Sequence, residues 1–344
     1  MALAQRTLDL VDLPSESGSE AAVSAYVEAC VPLETAFSDG ESLIYAKRAG
    51  KPLVLLAGHT DTVPAQGNLP GRIENGWVVG LGASDMKGGL AVMIELARWA
   101  AETDLAYDLA LLFFPREELG PAENPLPTVF EHTGLVDEAQ LVICLEPTDN
   151  TLQLGCLGNL NARVVFEGKS AHSARPWLGV NAIRLAFDGL RQALEAEPRD
   201  VEVEGLVFRE VVSVTQLQAG IASNVIPARA EAILNFRYAP DRTPESAAVR
   251  VRELVGADVE ILSNSPPAHV ALRSPLVDRL RTVGGFEVEP KQAWTNVADF
   301  AARGLDAVNL GPGATRYAHA VDERVEIAEL ERTYDALRRF LASG

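Results

Sequence analysis

The sequence predicts an α/β fold interrupted by a smaller α+β domain, and three observations carry that expectation. Apolar strand-like runs alternate with a helical pattern up to about residue 159. Beyond it the order becomes β-α-β-β-α-β, and the α/β pattern resumes at Ser274-Pro275. Strands alternating with helices imply a mostly parallel central sheet covered on both faces. The inserted order is that of a ferredoxin-like unit. The expected organisation is a discontinuous domain of residues 1–159 and 269–344 and an inserted domain of residues 160–268.

Each element has a local reason. KPLVLLAG (51–58), DLALLFF (108–114) and AQLVICLE (139–146) are apolar runs of strand length. MKGGLAVMIELARWAAE (86–102) is helical, with Leu90, Met93, Ile94 and Ala97 spaced for one apolar face. In the insert, NARVVFEG (161–168) is a strand, followed by a helix through Ile183, Phe187, Leu190 and Leu194. VVSVTQLQ (211–218) and the alternating RAEAILNFRY (229–238) are the next strands. Thr243-Pro244-Glu245 starts a helix that Gly256 stops, and DVEILS (258–263) closes the unit.

Composition narrows the function classes. Of 344 residues 47% are apolar, enough for roughly two buried cores. No apolar run approaches the roughly 18 residues of a membrane span. MALAQRTLDLVDLPSESGSE carries early acids and no apolar core with a cleavage site, so no signal peptide is expected. Cys30, Cys144 and Cys156 are unclustered, which suits a reducing cytoplasm and argues against disulfides or thiolate metal ligation. With 48 acids against 30 bases the net charge is −18, a poor basis for binding nucleic acid or an anionic membrane. A local basic pocket can still take an acidic small molecule.

Chemistry gathers where strands end. In LLAGHTDTVP (55–64) a buried strand breaks into a histidine and an aspartate two positions apart. Side chains at i and i+2 of an extended chain point the same way, about 6.6 Å apart, so Asp61 can hold the His59 ring in one tautomer. Metal-binding histidines usually have such a partner. The further pieces are Asp85 in GLGASDMKGG, Glu117 and Glu118 in PREELG, Glu146 in CLEP and His319 in YAHAVDE. Singly each has a plainer role: Asp85 could cap the helix behind it, and the glutamate pair could be a solvated turn. Jointly, most of them follow successive strands or open a helix at the C-terminal edge of one parallel sheet, where sites on such sheets lie. Two histidines with several carboxylates suit Zn²⁺. Paired metals are a common hydrolase device, and they need a nearby carboxylate that is not a ligand to take the proton of the attacking water.

GHTDTVP, GLGASDMKGGLA, the glutamate pair, LEPT, GKSAHSARPWLGVNAI, ASNVIPARAEAILNFRY and AHAVDE run in order along the chain. Together they resemble the di-zinc amidohydrolase family of aminoacylases, carboxypeptidases and succinyl-diaminopimelate desuccinylase. SAHSARPWLGVNAI and GPGATRYAHAVDE are most similar to the actinobacterial type of that desuccinylase. The resemblance implies a zinc-peptidase-like catalytic domain, an inserted dimerisation or lid domain and a homodimer. It also implies two Zn²⁺ per subunit, replaceable by Co²⁺ or Mn²⁺. His59 and Glu146 would hold one zinc, Glu118 and His319 the other, with Asp85 bridging. Glu117 would be the general base, Asp61 the acid orienting His59, and His172 the donor that stabilises the tetrahedral intermediate. Asn224, Arg237 and Thr295 would bind substrate, and Arg175 and Arg316, beside motif histidines, are further cations for its carboxylates. The expected reaction is hydrolysis of N-succinyl-LL-2,6-diaminopimelate, with acetylornithine deacetylation or dipeptide hydrolysis as the alternative.

Three departures touch substrate recognition rather than the metals. FPREE leads into the glutamate pair, AWTNVADFAAR lacks an expected glycine pair, and CLGN (156–159) stands where relatives carry an arginine-serine pair. A nucleotide-binding oxidoreductase is disfavoured, because the third glycine position of VVGLGASD is Asp85. A metal-binding paralogue without activity would have lost Glu117.

Overall fold

The structure, a computed structural model, describes residues 2–343. They divide into two compact units. The first runs to Leu154 and takes in Ala271–Glu289 and the chain from Asp299; the second comprises Gly155–Val270 and Pro290–Ala298.

Among the described residues, eight strands form one sheet. Their order is Glu34–Ser38, Leu43–Lys47, Asp108–Phe114, Leu53–His59, Ala139–Cys144, Ala307–Asn309, Leu152–Leu154 and Val288–Pro290. Leu53–His59 is parallel to both of its neighbours, and Ala307–Asn309 is parallel to Ala139–Cys144. Towards the edges the pairing turns antiparallel. Leu53–His59 and Asp108–Phe114 are buried at every residue, as continuous apolar runs in a sheet covered on both faces should be. Gly88–Ala101 buries the predicted stripe of Leu90, Met93, Ile94 and Ala97. It packs against Ala2–Val11 and Ile327–Ala342, and the latter also meets Pro275–Gly284.

Register is what positions the site. His59 pairs with Phe114 and Ala57 with Cys144, so three parallel strands end nearly level. Strands lie about 4.8 Å apart, and the residues just past each end therefore become neighbours. Gly58 is required here. A Cβ on it would sit 2.7 Å from Met86 Cε, in the space that lets Met86 Sδ accept the His59 N–H at 3.3 Å.

In the second unit one antiparallel sheet runs Arg199–Val203, Leu206–Ala219, Arg229–Tyr238, Gly158–Glu167, Val259–Ser265. Without its first strand this is the ferredoxin-like order, with Ala182–Gly189 and Pro244–Glu253 as the two helices. Gly158–Glu167 and Arg229–Tyr238 alternate buried and half-buried residues. Leu160, Val164, Phe166, Leu234 and Phe236 form a core with Ala182, Ala186 and Val251 of the helices. The expected helix through Leu194 is broken into Ala182–Gly189 and Arg191–Leu194. Gly189 lies where a Cβ would meet Phe166 at 2.4 Å, and its carbonyl is taken by the Gly256 N–H.

Glu210 ties this unit together from a side that leaves it only 4% exposed. It accepts from Arg242 Nε at 2.6 Å, Arg199 Nε at 2.9 Å and Ala239 N at 3.1 Å. Burial alone would raise its pKa, but these donors outweigh that and hold it below the ordinary 4.5. A carboxyl whose folded pKa is depressed stabilises the fold above its unfolded pKa, and loses that stabilisation as pH falls through the folded value. Glu210→Gln should therefore cost about 2 kcal/mol of unfolding free energy at pH 7. The gap between wild type and variant should close below about pH 4.5. Urea unfolding of both proteins from pH 7 to pH 3 checks this, and a gap independent of pH would contradict it.

Candidate metal centre

Side chains from four loops and one strand end converge in the first unit. His59 closes its strand fully buried. Its Nε2 lies 3.1 Å from Asp85 Oδ1, and its Nδ1 faces Asp61 twice, at 3.1 Å from the carbonyl oxygen and 3.4 Å from Oδ1. His319 Nε2 lies 2.9 Å from Glu118 Oε1 and 3.6 Å from Asp85 Oδ2. Donor atoms of three groups lie within 4.8 Å of one another: His59 with Asp85 and Glu146, Asp85 with Glu118 and His319, and His59 with Glu117 and Glu118. His59, Glu118 and Asp85 each belong to two of the three, and the one shared by the Glu146 group and the His319 group is Asp85. It is not a helix cap, since Lys87 occupies that position for Gly88–Ala101, with no side-chain cap.

Electrostatics here are those of crowded acids. Burial, with Glu146, Glu118 and Asp85 adding to it, pushes the Glu117 carboxyl well above its usual range, against the pull of His59. Burial would lower the pKa of His59, but hydrogen bonding to Asp61 and Asp85 raises it well above 6.5. Glu118 raises His319 to about 9. Carboxylates packed this closely in low dielectric call for cations, and the nitrogen and oxygen donors fit a borderline divalent metal.

Asp61 acts on more than the imidazole. Its Oδ1 and Oδ2 accept the backbone N–H groups of Glu117 and Glu118, each at 3.0 Å, and Oδ2 also accepts Ser17 Oγ at 2.7 Å. Burial would raise its pKa, yet His59, Ser17 and the Glu118 N–H hold it at about 2. One carboxylate thus fastens the glutamate pair to the end of the His59 strand. Arg116, in the FPREE departure, anchors the same loop from outside. It has a left-handed φ of 60°, and its Nη1 and Nη2 donate to Glu41 Oε1 and Oε2 at 3.1 and 2.7 Å.

Sequence reasoning did not single out Ser17, Arg116 or Glu323. Glu323 is 1% exposed and accepts the N–H groups of Gly82, Ser84 and Asp85 at 2.8, 3.1 and 2.9 Å. It ends the AHAVDE motif, so its place beside His319 was a usable signal. Ser17 offers none. Lys87 is buried with its ammonium on Leu13 O at 2.8 Å, and burial lowers its pKa to about 8 against Glu323 and Asp12.

Of the other predicted residues, Arg316 is in the first unit, paired with Asp149 at 3.1 Å and lying 4.8 Å over the Tyr317 ring. The rest lie in the second unit. His172 pairs with Val225 across a two-residue ladder. Its Nδ1 accepts the Ala174 N–H at 3.1 Å, so the neutral ring carries its proton on Nε2. Asn224 and Arg175 join it, through Ser173 N to Asn224 O at 2.9 Å and Arg175 N to His172 O at 2.8 Å. Thr295 is buried, with its carbonyl 3.9 Å from Cys156 Sγ. Arg237 is half-buried on the polar face of the sheet, and its Nε donates to Asn235 Oδ1 at 3.0 Å. Asn235 Nδ2 in turn donates to Asn159 Oδ1 at 2.7 Å and Asn161 Oδ1 at 2.9 Å. Among the described residues no carboxylate pairs with this guanidinium, and burial lowers its pKa.

Residues 55–343 match the family described as Peptidase family M20/M25/M40. The Mycobacterium tuberculosis protein provisionally named succinyl-diaminopimelate desuccinylase DapE is 38% identical over 343 residues, covering 97% of this chain and 96% of its own. The Corynebacterium glutamicum succinyl-diaminopimelate desuccinylase is 34% identical over 353 residues, covering 98% and 95%. Among solved structures, the aminopeptidase PepT of Bacillus cereus superposes with a TM-score of 0.79 at 20% identity, covering 99% of this chain and 97% of its own. The Bacillus subtilis protein YXEP, described as a dinuclear metal binding peptidase, does so with a TM-score of 0.67 at 17% identity, covering 98% and 96%.

Proposed function

The chain belongs to peptidase family M20/M25/M40 and is a metal-dependent hydrolase of that family, and on that premise we propose that it hydrolyses N-succinyl-LL-2,6-diaminopimelate to succinate and LL-2,6-diaminopimelate. The observation that carries the chemistry is the membership of Asp85 in two donor groups at once, one with His59 and Glu146, the other with Glu118 and His319. In this reading Asp85 would serve both of two Zn²⁺ sites, His59 and Glu146 completing one and Glu118 and His319 the other, with Co²⁺ or Mn²⁺ as substitutes. When bound, the metal pair supplies Lewis acidity towards the amide carbonyl and a water that ionises near neutral pH. The names of the Mycobacterium and Corynebacterium relatives supply the substrate.

The protein's own groups do the rest. Asp61 keeps the His59 ring in place and holds Glu117 and Glu118 in register. Glu117 takes the proton of the attacking water on a carboxylate oxygen and hands it to the departing amine. Glu117→Ala should abolish turnover while both metals stay bound, whereas Glu118→Ala should lose a metal. Metal content by mass spectrometry beside initial rates decides this. Retention of more than a few per cent of activity by Glu117→Ala would reverse the assignment.

Arg237 supports a substrate with an extra carboxylate. A half-buried guanidinium held by a neutral amide, in a chain of net charge −18, keeps its paired Nη groups available for bidentate recognition. Asn159, from the CLGN departure, steadies that amide. Succinyl substrates should exceed acetyl substrates by at least about tenfold in kcat/KM, some 1.4 kcal/mol. Asn235→Asp would give Arg237 a resident counter-charge and should raise KM for the succinyl substrate with little change in kcat. Equal rates on acetylornithine, or faster dipeptide hydrolysis, would move the activity to those substrates.

The second unit is assigned as the dimerisation or lid domain. Trp177 and Phe187 are 75% and 62% exposed there, Ile183 is exposed on the helix of Phe187, and Leu194 is exposed on the short helix that follows. Among the described residues, 211–219 show no strand partner on the side away from Arg229–Tyr238. A second copy can cover both features isologously. His172 Nε2–H then donates, in the partner's site, to the oxyanion forming on the substrate. His172→Ala should lower kcat by about 10²–10³ with little change in KM. Mixing His172→Ala with Glu117→Ala subunits should restore up to half of wild-type activity. Confirmed subunit exchange with no recovery would exclude a role in trans.

A further inference from the structure

Glu323 belongs to none of the candidate donor groups, yet its side chain is bound to the loop that presents Asp85. Oε2 accepts the Gly82 N–H at 2.8 Å, and Oε1 accepts those of Ser84 and Asp85 at 3.1 and 2.9 Å. Its backbone carbonyl accepts the Gly80 N–H at 2.9 Å. Within the loop the Ala83 and Lys87 N–H groups donate to Gly80 O and Gly82 O at 3.1 and 2.7 Å, and Ser84 Oγ donates to Ala314 O at 3.1 Å. Gly82 has φ 75°, and Asp85 and Met86 are not helical although Gly88–Ala101 follows at once. The convergent N–H groups lie in buried backbone, where each needs an acceptor. Four residues before Glu323, His319 also has a left-handed φ of 60°, and Gln66 Nε2 donates to its carbonyl at 3.1 Å. The same carboxylate therefore fastens the segment carrying His319 to the loop carrying Asp85, more than 200 residues apart in sequence.

We infer that Glu323 is the positioning residue of the metal centre, setting Asp85 where it can serve both donor groups at once and fixing its distance from His319. This rests on the di-metal reading above. Its consequence is specific. Because Asp85 is common to both groups, loss of the Glu323 acceptors weakens both metal sites together. A change confined to the His319 segment would weaken only the site that His319 serves. A glutamine has the right length but one acceptor oxygen, and its NH₂ would face a backbone N–H, donor against donor.

The test is zinc binding rather than turnover. Wild type and Glu323→Gln are stripped of metal and titrated with zinc against a chromophoric chelator, with stoichiometry read by native mass spectrometry. Wild type should take up two zinc ions, and the variant should bind both about 10–100-fold more weakly, the range for a lost partner of a metal ligand. In the metal-free proteins, amide exchange at Ser84 and Asp85 should quicken in the variant while exchange in the central strands does not. Wild-type affinity at both sites, or weakening of one site alone, would overturn the inference. A wild-type protein that binds fewer than two ions would overturn the di-metal reading itself, and the inference with it. Should Glu323→Gln fail to fold, Glu323→Asp keeps both acceptors on a shorter stem. Joint weakening of the two sites then supports the inference, and unchanged affinity refutes it.

Discussion

The constraint from which the rest of the first unit follows is the packing of Asp85, Glu117, Glu118 and Glu146 around a buried imidazole at the ends of three level strands. Left to themselves, such groups repel, and they lose hydration that only ion pairing or hydrogen bonding replaces. The fold answers with directed donors as well as with the His59 imidazole. Asp61 takes two backbone N–H groups and a hydroxyl, and Glu323 takes three backbone N–H groups. These two carboxylates are satisfied internally. The candidate ligands beside them bring nitrogen and oxygen donor atoms within 4.8 Å of one another, spacing that an external cation can use.

Arginine is managed in the opposite way in the second unit. Most of its arginines are tied to acids: Arg199 and Arg242 to Glu210, Arg209 to Asp200, and Arg229 to Glu167 and Glu231. Arg237 alone on its strand face leans on an amide ladder of Asn235, Asn159 and Asn161. In so acidic a chain a carboxylate partner was easy to supply. An amide orients the guanidinium without neutralising it, and that serves recognition of an anion better than it serves stability.

Much of this was legible because two periodicities are simple. Continuous apolar runs marked the buried parallel strands, and strict alternation marked Arg229–Tyr238 to the residue. The candidate ligands were legible because turn residues sufficed where histidine and acids stood. The helix break at Gly189 was not, since it depends on the ring of Phe166 from a strand beyond local reach. The short outer strands Leu152–Leu154 and Val288–Pro290 were equally silent, being only three residues long. The double duty of Asp61 was half visible. Its spacing from His59 can be read from the chain, whereas its grip on Glu117 and Glu118 exists only because two strands end in register.

That contrast bears on the departures in the sequence. FPREE replaces the usual approach to the glutamate pair with an arginine at φ 60°, a conformation that favours glycine. The bidentate pair with Glu41 offers compensation, but both partners are partly solvated, so it is worth little as stability. Its value lies in geometry: it restrains the loop on the side that Asp61 does not reach. CLGN likewise exchanges a charged approach to substrate for Asn159, which acts one step back by holding the amide that holds Arg237. In both places the altered residue no longer needs to touch substrate or metal. In the proposed reading it would adjust how firmly a neighbour does so, while the donor set itself is unchanged.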